Sequence, residues 1–154
     1  MEALRKRSFS AEAAGPLTPD YPGDVPLNCA VVGKVCIGGK DKIDKIITNY
    51  CGEVGITLVP VNQGYAKCSV CAVDERSIIT QDPSIAQAAK RHGLNVLKIQ
   101  TGRILLPGYD TGFIGGCSGL LGRKLLAFTG SLGAHPDGER IKEFYIAVAL
   151  SRWS

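Results

Sequence analysis

The stretch from residue 66 to residue 99, AKCSVCAVDERSIITQDPSIAQAAKRHGLNVLKI, decides how the chain is built. Residues 68–73 and 77–80 are short apolar runs on either side of the turn Asp74-Glu75-Arg76, the pattern of two strands joined by a tight loop. Asp82 suits a helix N-cap and Pro83 the first helical position. Ile85, Ala88 and Ala89 recur at helical spacing and predict a buried stripe. Arg91 and His92 fall in the last turn, where cations complement the helix dipole, and Gly93 is placed to end the helix. Val96-Leu97-Lys98-Ile99 supplies a closing strand. The unit is strand, strand, helix, strand.

The same order recurs on both sides of it. In residues 27–61, a hairpin turns at Gly33-Lys34, and a helix over residues 40–51 carries Ile43, Ile46 and Ile47 on one face. Gly52 and Gly55 end that helix, and Ile56-Thr57-Leu58-Val59 closes the unit. The third pass starts at Gly112, with Phe113-Ile114 opening a Gly-rich strand and residues 125–128 forming its partner. A helix follows from Glu139, and a closing strand is expected at residues 147–150. Three units starting about 40 residues apart predict an α/β repeat, radial or stacked, because one unit cannot bury its own core. Residues 1–26 hold Gly15, Pro16, Pro19, Pro22, Gly23 and Pro26 without periodic apolar positions, and read as a mobile leader. Residues 27–154 then form the repeat domain.

A chain of 154 residues is one domain by length. Its net charge of +4 owes much to Arg5-Lys6-Arg7 in the leader, and elsewhere bases alternate with acids, as in Lys40-Asp41-Lys42. Without a basic stripe and interleaved aromatics, nucleic acid is not an expected partner. No run approaches the roughly 18 apolar residues of a membrane span. The start lacks the apolar core of a secretory signal, and Glu2 and Glu12 argue against a transit peptide, so the cytoplasm is the default expectation. The six cysteines, Cys29, Cys36, Cys51, Cys68, Cys71 and Cys117, are then expected as free thiols, most of them small buried hydrophobes.

Cys68-Ser69-Val70-Cys71 has the CxxC spacing of zinc and redox sites. On a strand, residues three apart point to opposite faces, and no second pair completes a ligand set, so no metal is expected there. Residues 33–40, GKVCIGGK, resemble a phosphate loop only superficially, since Asp41 stands where a Ser or Thr would meet magnesium. No cofactor is expected. The segment with chemical promise is Gly112-Phe113-Ile114-Gly115-Gly116-Cys117-Ser118-Gly119. Glycines inside a strand mark a bulge or close backbone approach, and Cys117 among them reads either as an accessible nucleophile or as a small residue at a tight junction. His135 lies in a loop before a helix, where functional residues collect. Asp110 could orient that base or serve as a turn residue after Pro107-Gly108. The connectors at residues 62–67 and 106–111 both precede the first strand of a unit, and in a pseudosymmetric ring they would share a surface with the Gly-rich segment. Asn62, Gln63, Tyr109, Gly115 and Gly116 are therefore the candidate ligand contacts.

The strings Asn62-Gln63-Gly64-Tyr65-Ala66-Lys67-Cys68-Ser69, Leu106-Pro107-Gly108-Tyr109-Asp110, Gly112-Phe113-Ile114-Gly115-Gly116, Phe128-Thr129-Gly130 and His135-Pro136 together resemble a family of clostridial and related bacterial proteins. That family is assigned the guanidino-group-modifying-enzyme fold, also called the pentein or α/β-propeller fold. The resemblance implies a ring of five ββαβ units around a channel, of which this chain presents about three, a partial α/β-propeller. Enzymes of this fold, such as arginine deiminases, dimethylarginine hydrolases and amidinotransferases, use a Cys, a His and acidic residues in the channel. There the His precedes the Cys along the chain, whereas His135 follows Cys117.

Two functions follow as expectations. The first is non-enzymatic binding of a small metabolite or partner at the channel face. The alternative is a Cys-dependent hydrolase or transferase acting on a guanidino or amidino compound, with Cys117 attacking, His135 moving protons and Asp110 orienting the base or holding the cation. The ligand expected in either case is a small guanidino or amino-acid-like molecule, and self-association is the expected cover for open sheet edges.

Overall fold

The computed structural model of the chain describes residues 2–122 and 125–151. It is a mixed α/β structure of three small sheets with five α-helices. A single turn, α1 (Glu2–Arg5), starts the leader. The first unit is β1 (Ala30–Val32), β2 (Val35–Gly39), α2 (Lys45–Glu53) and β3 (Thr57–Val61). After the turn α3 (Ala66–Ser69), the second is β4 (Val70–Ala72), β5 (Ser77–Thr80), α4 (Pro83–Arg91) and β6 (Asn95–Lys98). Both sheets pair their first two strands antiparallel and the second with the third in parallel. The third element group is a hairpin, β7 (Ser118–Gly122) with β8 (Leu125–Phe128), a 3-10 turn at Leu132–Ala134 and the helix α5 (Gly138–Ser151).

The punctuation of the two complete units explains their likeness. Asp44 Oδ1 accepts from the Ile46 amide at 2.7 Å, and Asp82 Oδ1 from the Ile85 amide at 2.9 Å, so each helix begins on an aspartate cap. Each ends before a glycine with positive φ, Gly55 at 68° and Gly93 at 78°, a backbone state that favours glycine.

Strand alternation directs the packing. Ala30, Val32, Val35 and Ile37 on the inner face of the first sheet join Ile78, Ile85 and Ala89 of the second unit in one apolar cluster, so α4 lies between its own sheet and the first. Cys71, Ile79 and Val73 on the opposite face of the second sheet join Ile114, Ile141 and Val148 in a second cluster. Each unit thus covers a face of its predecessor.

Several details differ from the sequence reading. Cys68 is not on a strand: Asn28 Oδ1 accepts from the amides of Lys67 and Cys68 and holds residues 66–69 as a helical turn, so β4 starts at Val70. Phe113-Ile114 opens no strand, and β7 begins at Ser118. No closing strand forms at residues 147–150, where α5 continues to Ser151. The leader is fastened from Gly15 onward: the Gly15 amide donates to Asp44 Oδ2, Val25 is buried, and Tyr65 donates its hydroxyl to Asp24. Among the described residues, no helix is long and apolar enough to cross a membrane.

Gly52 sits inside α2, exposed, with nothing within 4 Å of an added Cβ. Gly52→Ala is expected to stabilise the protein by roughly 0.5–1 kcal/mol through helix propensity. A midpoint in urea that stays or falls would show that the helix is not limited by backbone entropy there.

Candidate functional site

The Gly-rich segment is not a strand because it wraps a buried side chain. Gln81, 4% exposed, donates Nε2 to Gly112 O at 2.9 Å and accepts from the Ile114 amide at 3.0 Å. This two-point clamp reproduces what a neighbouring strand would offer. Beyond it the chain runs against α3: the Gly116 amide donates to Cys68 O, and a Cβ on Gly115 would stand 2.4 Å from the carbonyl oxygens of Lys67 and Val70. Close approach is therefore the role of Gly115, and the Gly116 amide is already engaged within the chain.

Ile114, held by that clamp, presents Cys117 to a cavity of about 300 Å³. The cavity lies between the connector that follows β6, the end of β8 and the loop before α5, and it also takes in Arg103, Ile104, Phe128 and His135. Cys117 and His135 thus face one cavity. The Cys117 thiol donates to Ile114 O at 3.4 Å, and burial pushes its pKa up. A thiol held in its protonated form is a poor nucleophile.

His135 is fixed by its neighbour in sequence. The Asp137 amide donates to Nδ1 at 3.0 Å, which places the proton of the neutral ring on Nε2. Nε2 is buried and finds no hydrogen-bond partner. Asp137 itself is 3% exposed. Its carboxylate accepts from the Gln100 amide at 2.7 Å and pairs with Arg140, tying the connector to α5. The Gln100 amide first, and Arg140 after it, hold this carboxyl below the usual carboxylate range.

The remaining candidates lie elsewhere. Asp110 is exposed and does not line the cavity, so the group beside His135 is Asp137. Tyr109 is 74% exposed on the same outer loop, and Asn62 is exposed. Gln63 is engaged within the fold: its Oε1 accepts from the Tyr65 amide and its Nε2 donates to Asp82. The first connector does meet the Gly-rich segment, with the Tyr65 and Phe113 rings 6.0 Å apart and Tyr21 against Tyr65 at the same centroid distance. Residues 106–111, the second connector, do not line the cavity; Arg103, Ile104 and Leu105 just ahead of them do. Cys71 is sealed in the core, its thiol pushed up to about 11 by burial, while Cys68 accepts from Asn28 Nδ2 at 3.3 Å. Among the described residues no cluster of His, Cys, Asp and Glu has the arrangement of a metal site.

Fold and cavity together define an α/β protein of successive small sheets with a mainly apolar recess between its second and third element groups. The chain belongs to a family of unknown function (DUF6873), whose family model matches residues 1–151. No curated protein and no solved structure matches it.

Proposed function

We propose that this chain is a non-enzymatic binding protein, built as about three units of a pentein-type α/β-propeller, that takes a small amino-acid-like acid with an apolar side chain in the Cys117–His135 cavity. One observation carries the reading: Arg103 and His135 stand at a cavity otherwise lined mainly by Ile104, Leu105, Ile114, Phe128 and Leu132. Arg103 at the same cavity favours a carboxylate, and among the described residues no acidic side chain lines it to receive a guanidinium. The protonated Cys117 thiol favours binding over attack. The propeller reading rests on the two complete ββαβ units and on the way each successive unit covers its predecessor.

Titration with small apolar amino and 2-keto acids, followed by amide NMR, is expected to shift the resonances of residues 103–105 and 128–135. His135→Ala should abolish the shifts, at some cost in stability because the Asp137 amide loses its acceptor. Arginine and agmatine should produce none. Alkylation of Cys117 well below pH 8, together with turnover of a guanidino compound, would establish the alternative hydrolase or transferase instead.

We propose further that a second copy of the chain covers the third sheet. In the complete units a parallel strand occupies the edge of β2 and of β5, but none pairs with β8 among the described residues. Leu121, Leu125, Ile146 and Leu150 are more than half exposed around that hairpin and along α5. An open edge flanked by apolar surface is a pairing surface. Sedimentation is expected to show a concentration-dependent dimer that Leu125→Asp weakens; a monomer at every concentration would refute it.

A further inference from the structure

A second cavity, of about 450 Å³, lies between the first sheet, α2 and the leader. Repetition explains its place. In the second unit the layer between α4 and Ile78 of β5 packs against the first sheet, through Ala30, Val32, Val35 and Ile37. In the first unit the layer between α2 and β1 meets Ser10 and Glu12 of the leader instead. A single strip of chain covers less than a sheet does, and a recess remains. One carboxylate fixes its frame. Asp44 Oδ1 caps α2 at the Ile46 amide, and Asp44 Oδ2 accepts from the Gly15 amide at 3.2 Å, three residues beyond Glu12.

The lining states what would fit. Leu27 and Val31, Ile46 and Ile47 of α2, and Ile56 before β3 make its walls apolar. Val31 is 55% exposed, so an apolar occupant would remove surface from water that the fold itself leaves wet. Among the described residues Glu12 is the one charged side chain at the cavity, and no described base pairs with it. A volume of this size falls in the range of about 300–1,000 Å³ typical of small-molecule sites, which are mostly apolar with few polar groups. A carboxylate at an apolar recess favours a cation and repels an acid.

We propose that this cavity binds a small apolar amine, with its ammonium at Glu12 and an aryl or branched alkyl body against Val31, Ile47 and Ile56. The Cys29 and Cys51 sulfurs also border the cavity, and polarizable sulfur makes favourable contact with an aromatic ring. Glu12 is exposed, so its charge selects among ligands by several-fold, and the apolar walls supply most of the affinity. The site is separate from the Cys117–His135 cavity and takes the opposite charge, so neither reading depends on the other.

The test titrates the full-length protein by calorimetry with phenylbutylamine and with the alcohol and the carboxylic acid of the same chain length. The amine is expected to bind several-fold more tightly than the alcohol, and the acid most weakly. Glu12→Gln, a change at an exposed side chain, should bring the amine down to the alcohol. Ile47→Trp, which fills the recess, should lose all three, with its folding checked by circular dichroism. The unaltered protein gives an independent reading of place: bound amine should slow alkylation of Cys29 by iodoacetamide several-fold and leave Cys117 unchanged. No binding of the amine, equal binding of all three probes, an amine preference that survives Glu12→Gln, or protection of Cys117 in place of Cys29 would overturn the proposal. So would a dimer that Ile47→Trp dissociates while no probe binds, since the recess would then be filled by a second copy.

Discussion

Gly115→Ala is expected to lower stability by about 3 kcal/mol, the upper end for overpacking a close-packed contact. The added methyl would meet three main-chain oxygens, those of Lys67 and Val70 at 2.4 Å and that of Cys68 at 2.7 Å. A flexible side chain could yield, but these carbonyls belong to α3 and the start of β4 and cannot move alone. The Gly116 amide would lose its bond to Cys68 O in the same displacement. The damage would fall on the contact between the second and third element groups. Gly119→Ala is the control, because nothing lies within 4 Å of its Cβ; its effect should stay within about 0.5 kcal/mol. Urea unfolding with unchanged m compares them. Equal midpoints for both variants would mean that the junction is not as tight as its distances imply.

Asp137→Ala carries the other large effect. The carboxylate is buried, and its removal leaves the Gln100 amide and Arg140 without their acceptor. A loss of about 1–3 kcal/mol is expected for the orphaned amide. The charge gives this residue a pH signature. Its folded pKa lies below the ordinary value, so its contribution is fully present above the unfolded pKa of about 3.9 and is lost as pH falls through the folded value. Stability should therefore decline in acid below about pH 4, and Asp137→Asn should flatten that limb. An identical acid limb in the Asn variant would show that other carboxylates govern it. Because the Asp137 main-chain amide holds His135, the Asn variant should keep the ligand response of the cavity.

The order of elements in the two complete units was legible because their signals are local, although the first helix starts on the Asp44 cap and runs through Gly52 to Glu53 instead of spanning residues 40–51. Asp82 before Pro83 and Gly93 after His92 mark a helix within a dozen positions, and the cap bond and positive φ follow from residue type alone. The third group was misread where long-range contacts decide. Glycines at 112, 115 and 116 look like a weak strand, but the partner that sets their path is Gln81, more than thirty positions earlier. Cys68 left the strand for the same reason, since Asn28 is the residue that turns it. The apolar run at residues 147–150 fits strand or helix, and periodicity cannot choose between them. Cys117 and His135 do border one recess. Asp137 was missed in favour of Asp110, although an aspartate just ahead of a helix is a visible capping signal.

The middle sheet, β4 to β6, belongs to both apolar clusters, Ile78 to one and Ile79 to the other. An amide on β5 can reach solvent only after the layers on both sides have separated. Deuterium uptake should therefore be slowest along β5 and quicken outward in both directions, toward β1 and toward β8. The chain would then come apart like leaves on a common spine, with either outer leaf able to open while the other remains closed.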